Sequence, residues 1–253
     1  MTLPLALGPV RPVPLSAINP VAQLSAIALL LPVLLISGDL VTPSVVLAAE
    51  LCLLPAAGLA SPRALLARTW PLLLGAAGVA WVNVAFGDDG GGCLSAVGLA
   101  VRVLALALPG VLLVASTDPV RLADALTLHW RVSTRFAYGA LAALRLVPLL
   151  AMEWQTIRLA RRARGVEAGR NPVAHLRLFG GTAFALLVGA IRRGSRLAAA
   201  MDARGFDSGI RRTNARGSRL HVRDAVFVGG ALAVCAGALA LSIGTGSWAP
   251  VFS

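Results

Sequence analysis

Five apolar stretches, at about residues 21–36, 41–59, 70–86, 94–116 and 224–244, restrict this chain more than any other feature of its sequence. A bilayer offers the backbone no water, so a segment that enters it must satisfy its own N–H and C=O groups, and a helix does so. The chain is 57% hydrophobic and 13% charged, where a soluble domain carries roughly 25% charged residues. The predicted fold class is therefore all-α, a polytopic helical membrane protein. Residues 1–18 read as an irregular or interfacial arm. Pro4, Pro9, Pro12, Pro14 and Pro20 interrupt it, so no apolar signal core is expected and the first span is expected to stay as an anchor. Asn19-Pro20 then starts a helix, with Asn as cap and Pro in the first position.

Charge sets the orientation. Residues 152–223 hold 15 Arg against Glu153, Glu167, Asp202 and Asp207, so nearly all of the net +12 is one block. That block and the basic loop from Ser61-Pro62-Arg63 to Arg68 mark one side; Asp39 and the Asp88-Asp89 turn mark the other. Basic loops stay inside, which predicts a multi-pass cell-membrane protein with a cytoplasmic N-terminus. Most of the block is accounted for by this bias and by anionic lipid. Nucleic acid is a poor partner for it, since the block is sparse in aromatics and lies between spans. The chain divides into transmembrane helices over 1–116, a cytoplasmic segment over 117–221 and a last transmembrane helix over 222–253. Trp70 and Trp81 are placed as interfacial anchors of the third span.

Two charges lie inside spans. Glu50 is nine residues in from Val41 and Arg102 eight in from Leu94, both counted from the external face. At 1.5 Å per residue both reach roughly 12 to 14 Å, so they are expected to form an intramembrane pair that pins the second span to the fourth. Gly229, Ala233 and Gly237 in the last span have the small-residue spacing that lets helices approach closely, inside the bundle or against another membrane subunit.

The cytoplasmic segment reads differently. Asp118-Pro119 opens a short amphipathic helix through Leu128, and a longer helix runs from about Ser133 past Pro148 to Arg164. A third runs from Asn171-Pro172 to about Arg204 with its apolar residues on one stripe. Its uncharged run, Leu178 to Ile191, has fourteen residues, too short to span, so the fold is expected to contain two long cytoplasmic amphipathic helices. Each ends on nearly the same words. Ala163-Arg164-Gly165-Val166-Glu167-Ala168-Gly169 is matched forty residues on by Ala203-Arg204-Gly205-Phe206-Asp207-Ser208-Gly209. Arg in a last turn complements the helix dipole, and Gly beyond it adopts the left-handed terminating conformation. Two basic caps would be the plain reading. The match, however, extends past the cap into Glu167 and Asp207 and a second Gly, and each Arg follows a small Ala. Arg164 and Arg204 therefore read as two equivalent contacts for acidic grooves, where guanidinium pairs bidentately with carboxylate. Ala215-Arg216-Gly217 ends no periodic helix and lacks the trailing residues.

Much chemistry is excluded. All 23 basic residues are Arg, so there is no Walker A lysine and no lysine catalysis. Cys52, Cys93 and Cys235, like His129, His175 and His221, are scattered without metal-ligand spacing. No catalytic residue and no metal site are expected.

These signatures resemble the transmembrane T-component of energy-coupling factor (ECF) transporters, including the cobalt-transport and biotin-transport T subunits. That family carries paired coupling helices ending in Ala-Arg-Gly, as Ala163-Arg164-Gly165 and Ala203-Arg204-Gly205 do here. The second stands in Ala200-Met201-Asp202-Ala203-Arg204-Gly205-Phe206, and Arg145-Leu146-Val147-Pro148-Leu149-Leu150 leading into Arg158-Leu159-Ala160 resembles the approach to the first. The likeness covers about residues 117–210. At the N-terminus Asn19-Pro20 is similar to a family Asp-Pro motif, but Gln23 stands where a basic residue is usual. The resemblance implies two ABC ATPases docked on Arg164 and Arg204, with Met201, Asp202, Glu167 and Asp207 in support, and a substrate-binding membrane S-component. It also implies that ATP and Mg are bound by the ATPases and that this chain holds no cofactor. A self-contained permease would instead show inverted repeats with broken mid-membrane helices. A membrane enzyme would need acids better partnered than Glu50 or Asp88-Asp89.

Overall fold

The computed structural model describes residues 13–59, 62–86, 92–169, 171–206 and 217–248. The described residues are helical almost throughout: α1 (Pro20–Ile36), α2 (Val41–Leu53), α3 (Pro62–Phe86), α4 (Gly92–Ser116), α5 (Pro119–His129), α6 (Thr134–Ala163), α7 (Pro172–Ala203) and α8 (Val222–Gly244). The all-α class holds. Length and composition qualify five segments to cross a bilayer, within α3, α4, α6, α7 and α8.

Local chemistry explains the boundaries. Asn19 caps α1 by accepting from the Val21 N–H, Asp118 caps α5 through Val120, and Asn171 caps α7 through Val173 and Ala174. Each is followed by Pro at the first helical position, where a missing N–H costs nothing. Three expectations change. The second span is not one helix over 41–59: α2 stops at Leu53 and the chain tightens into a 3₁₀ turn over Pro55–Ala57, because Pro55 cannot donate to continue the α-helix. Residues 62–68 are not a loop but the first turns of α3, entered through Pro62. Finally, α1 and α2 have 17 and 13 residues, too few for the length that qualified the others, whereas α6 and α7 have 30 and 32. The fourteen-residue neutral run of α7 becomes long enough once Arg177 and Arg192 at its two ends are admitted, as snorkelling arginines can be.

The chain forms two compact units, residues 1–133 with 217–253, and residues 134–216. In the first, α3 packs on α4, and α2 lies against α4 and α8. The last helix also runs along α1, and α5, grouped with the cytoplasmic segment in the sequence reading, packs on α1. Leu34, Val46, Ala105 and Ala238 meet where α1, α2, α4 and α8 converge. A second cluster joins Leu15 of the N-terminal arm and Leu54 and Ala57 after α2 to Leu108, Leu112 and Ala115 of α4.

Polar ties fix both ends of this bundle. Asp224 of α8 accepts from the backbone N–H of Asn19 at 2.6 Å and of His221 at 2.7 Å. Gln23 is 4% exposed. Its amide donates to the Leu15 carbonyl at 3.0 Å, while its oxygen accepts from Ser116 and Thr117 at the end of α4. A neutral amide serves this dry position because it offers both donors and an acceptor, which a basic side chain cannot. At the opposite end Asp39 accepts from the Thr42 N–H and hydroxyl and from Ser242 of α8. Burial pushes its carboxyl up, but these hydrogen bonds outweigh it and hold Asp39 below the ordinary carboxylate value.

In the second unit α6 and α7 run antiparallel. Arg161 lies across α7 at Gly181 and donates to the Leu178 carbonyl at 2.9 Å. Two turns back Glu153 sits over Gly189 and pairs with Arg193 at 3.0 Å. Trp154 meets Phe179 edge-on with ring centroids 5.3 Å apart.

Candidate functional site: two matched helix ends

The sequence repeat is a repeat of geometry. At the end of α6 the Gly165 N–H donates to the Arg162 carbonyl at 2.9 Å and the Val166 N–H to the Arg161 carbonyl at 3.0 Å. At the end of α7 the Gly205 N–H donates to Asp202 at 2.9 Å and the Phe206 N–H to Met201 at 3.0 Å. These are the paired bonds of a Schellman motif, in which the residue past the cap must be left-handed. Gly165 and Gly205 have φ of 72° and 74°. The Arg of each signature is the last residue before this reversal, so its side chain leaves the helix end as the backbone turns away.

Ala163, Arg164 and Gly165 are exposed, as are Ala203, Arg204 and Gly205. The guanidinium groups of Arg164 and Arg204 have no hydrogen-bond or ion-pair partner among the described residues, so both keep their full set of donors for another molecule. The methyl-sized side chain before each Arg leaves the helix end narrow. Such an end suits entry into a groove whose walls accept hydrogen bonds.

The supporting residues are not equivalent. Met201 is half-buried and Asp202 exposed, with the Asp202 carbonyl closing the second cap. Glu167 turns back toward Arg162 at 3.8 Å, with the two side chains 58% and 64% exposed, a weak solvent-screened pair. Asp207, Arg216, Asp88 and Asp89 lie outside the described residues.

The intramembrane pair does not form. Arg102 donates through Nε to the Leu34 carbonyl at 2.7 Å and through Nη2 to Leu35 at 2.9 Å and to Ser37. It thereby caps the free carbonyls at the end of α1, where a cation also meets the negative end of the dipole. Glu50 is 3% exposed, and neither carboxyl oxygen has a hydrogen-bond partner. The equal-depth expectation fails as well: Leu40 packs at Gly98 and Val46 in one cluster with Ala105, so Arg102 lies nearer the start of α2 than Glu50 does. In addition, α1 supplies carbonyls that a span-by-span reading leaves out. The α8 stripe also differs from close packing within the chain. Gly229 and Ala233 are exposed, and an added Cβ at Gly229 or Gly237 would meet nothing within 4 Å. Instead Cys235, Ala238 and Ser242 face the bundle.

Sequence reasoning missed the brace between α6 and α7. Its signal was present: Gly181 and Gly189 stand eight residues apart on α7, as Glu153 and Arg161 do on α6. Among the described residues no three His, Cys, Asp or Glu side chains come together as metal ligands would.

Comparison with known proteins places these features in a wider set. Residues 13–214 match the CbiQ family, described as cobalt transport protein. The energy-coupling factor transporter transmembrane protein EcfT of Lacticaseibacillus paracasei is 37% identical over 140 residues, 52% of this chain and 53% of that protein. Its counterpart in Limosilactobacillus fermentum is 34% identical over 134 residues, 50% of each chain. That of Staphylococcus aureus is 27% identical over 143 residues, 53% of each. The matches thus span about half the length of these relatives.

Proposed function

Because the chain belongs to the CbiQ family of cobalt transport proteins, we propose that it is the transmembrane energy-coupling subunit of an ECF-type ABC transporter. Its partners are two ABC ATPases, which bind ATP and Mg, and a substrate-binding membrane S-component, which selects the vitamin or metal ion carried inward. Arg164 and Arg204 each enter a groove of one ATPase. Closure of the ATPase pair displaces the two helix ends, and α6 and α7, braced at Arg161 and Glu153, carry that displacement to the S-component. The chain itself performs no catalysis, and its N-terminus is cytoplasmic.

The observation that supports this most directly is the matched pair of Schellman caps, each offering one exposed, unpartnered Arg. Two like sites on one chain suit two like partners. Truncating one side of a docked charge pair costs about 2 to 5 kcal/mol. Arg164→Ala or Arg204→Ala should therefore weaken co-purification of the ATPases, and Arg216→Ala should not. Equal losses from all three would reduce the device to general positive charge.

A further inference from the structure

Between the end of α6 and the start of α7 lies a cavity of about 520 Å³. Trp154, Arg158, Arg161 and Arg162 line it from one face of α6, at the i, i+4, i+7 and i+8 positions that a helix brings together. Phe179 closes it from α7 and Glu167 from the connection. Three guanidinium groups thus converge against one carboxylate. Arg161 is held in place by its bond to the Leu178 carbonyl. Arg158 has no hydrogen-bond partner among the described residues, and Arg162 meets only the exposed Glu167 at 3.8 Å. An ion pair that open contributes little, so an incoming anion can replace Glu167 there.

From this we infer that the cavity binds the phosphodiester headgroup of an anionic phospholipid. The guanidinium fork matches phosphate oxygens bidentately. The space is larger than a bare inorganic anion fills, and its apolar end is the Trp154–Phe179 pair rather than more charge. That pair stands where the arginines of α6 meet the neutral run of α7 that begins at Leu178, the level at which aromatic belts sit in membranes. Around it Leu159, Val173 and Leu176 are 63%, 65% and 72% exposed, so apolar and basic side chains alternate on the surface, as on segments that lie on anionic lipid. Arg164, the docking residue of this helix end, does not line the cavity, whereas Glu167, placed in support of docking, does, so lipid retention is read on the chain alone without the ATPases.

The full chain, purified alone and reconstituted in phosphatidylcholine nanodiscs with phosphatidylglycerol as the minor lipid, tests it by native mass spectrometry of retained lipid. Phosphatidylglycerol should be retained over phosphatidylcholine. Arg158→Gln or Arg162→Gln should cut that retention about tenfold, the loss of one charge-assisted hydrogen bond. Glu167→Gln should raise it, and Arg196→Gln on the far part of α7 should leave it unchanged. The assignment is overturned if Arg196→Gln matches the cavity variants, if phosphatidylcholine is held equally well, or if inorganic phosphate displaces all of the lipid.

Discussion

Arg102 donates to three carbonyls at the end of α1, so truncating it leaves acceptors there without their donor. Arg102→Gln should cost about 1 to 3 kcal/mol by thermal unfolding. Glu50→Gln should be neutral or stabilising, since it removes a carboxyl with no partner to lose. In the double-mutant cycle the coupling should stay below about 0.5 kcal/mol, and a coupling well above that would restore the ion pair. Asp39 adds a pH dependence. Its folded value lies below the unfolded one, so its stabilisation is complete above about pH 4 and disappears as pH falls through the lower folded value. Asp39→Asn should flatten the acid limb of the melting-temperature profile while leaving the neutral region pH-independent. These residues were half legible: the charges stood out in the sequence, but their partners are backbone groups that side-chain pattern cannot announce.

Among the elements, the helix ends were the most legible. Ala-Arg-Gly predicts a left-handed glycine after a basic last turn, and both copies have it, with φ of 72° and 74°. Gly165→Ala and Gly205→Ala should each cost about 1 kcal/mol, the strain of an L-residue held left-handed. Hydrogen exchange should show that cost locally, as faster exchange of the Val166 or Phe206 amide, while α8 is unaffected. Boundaries set by proline were legible where Pro opens a helix, as at Pro20, Pro119 and Pro172. Two proline boundaries differ from the sequence expectation: at Pro55 the apolar run continues past the residue that ends the helix, and at Pro62 the neighbouring arginines suggest a loop where a helix opens. The brace at Gly181 and Gly189 was overlooked because its period of eight belongs to two helices at once.

For the whole molecule, the open question posed by the sequence is the disposition of α6 and α7, which length and composition would let cross a bilayer. Their pairing argues against two centred spans. Arg161 lies beside Leu178 and Glu153 beside Gly189, so the neutral run of α7 is flanked by the charged end of α6. Successive spans would also put the ends of α6 and α7 on opposite sides, whereas the proposed docking of two ATPases needs them on one. Single cysteines at Ala163 and Ala203, in a chain otherwise free of cysteine, should both react with an impermeant maleimide from the cytoplasmic side. Reaction from opposite sides would overturn the coupling-helix reading. The sequence by itself determined the helical membrane class, the gathering of basic charge in one block and the two matched Arg-Gly ends, because each is written in local pattern: hydropathy, charge count and cap chemistry. Tertiary structure alone decided that Arg102 serves α1 and not Glu50, that Gln23 joins the N-terminal arm to α4, and that the glycine stripe of α8 faces outward. Those outcomes depend on how helices are rotated about and slid along their axes against one another, and both follow from packing of the whole bundle rather than from any one stretch of it.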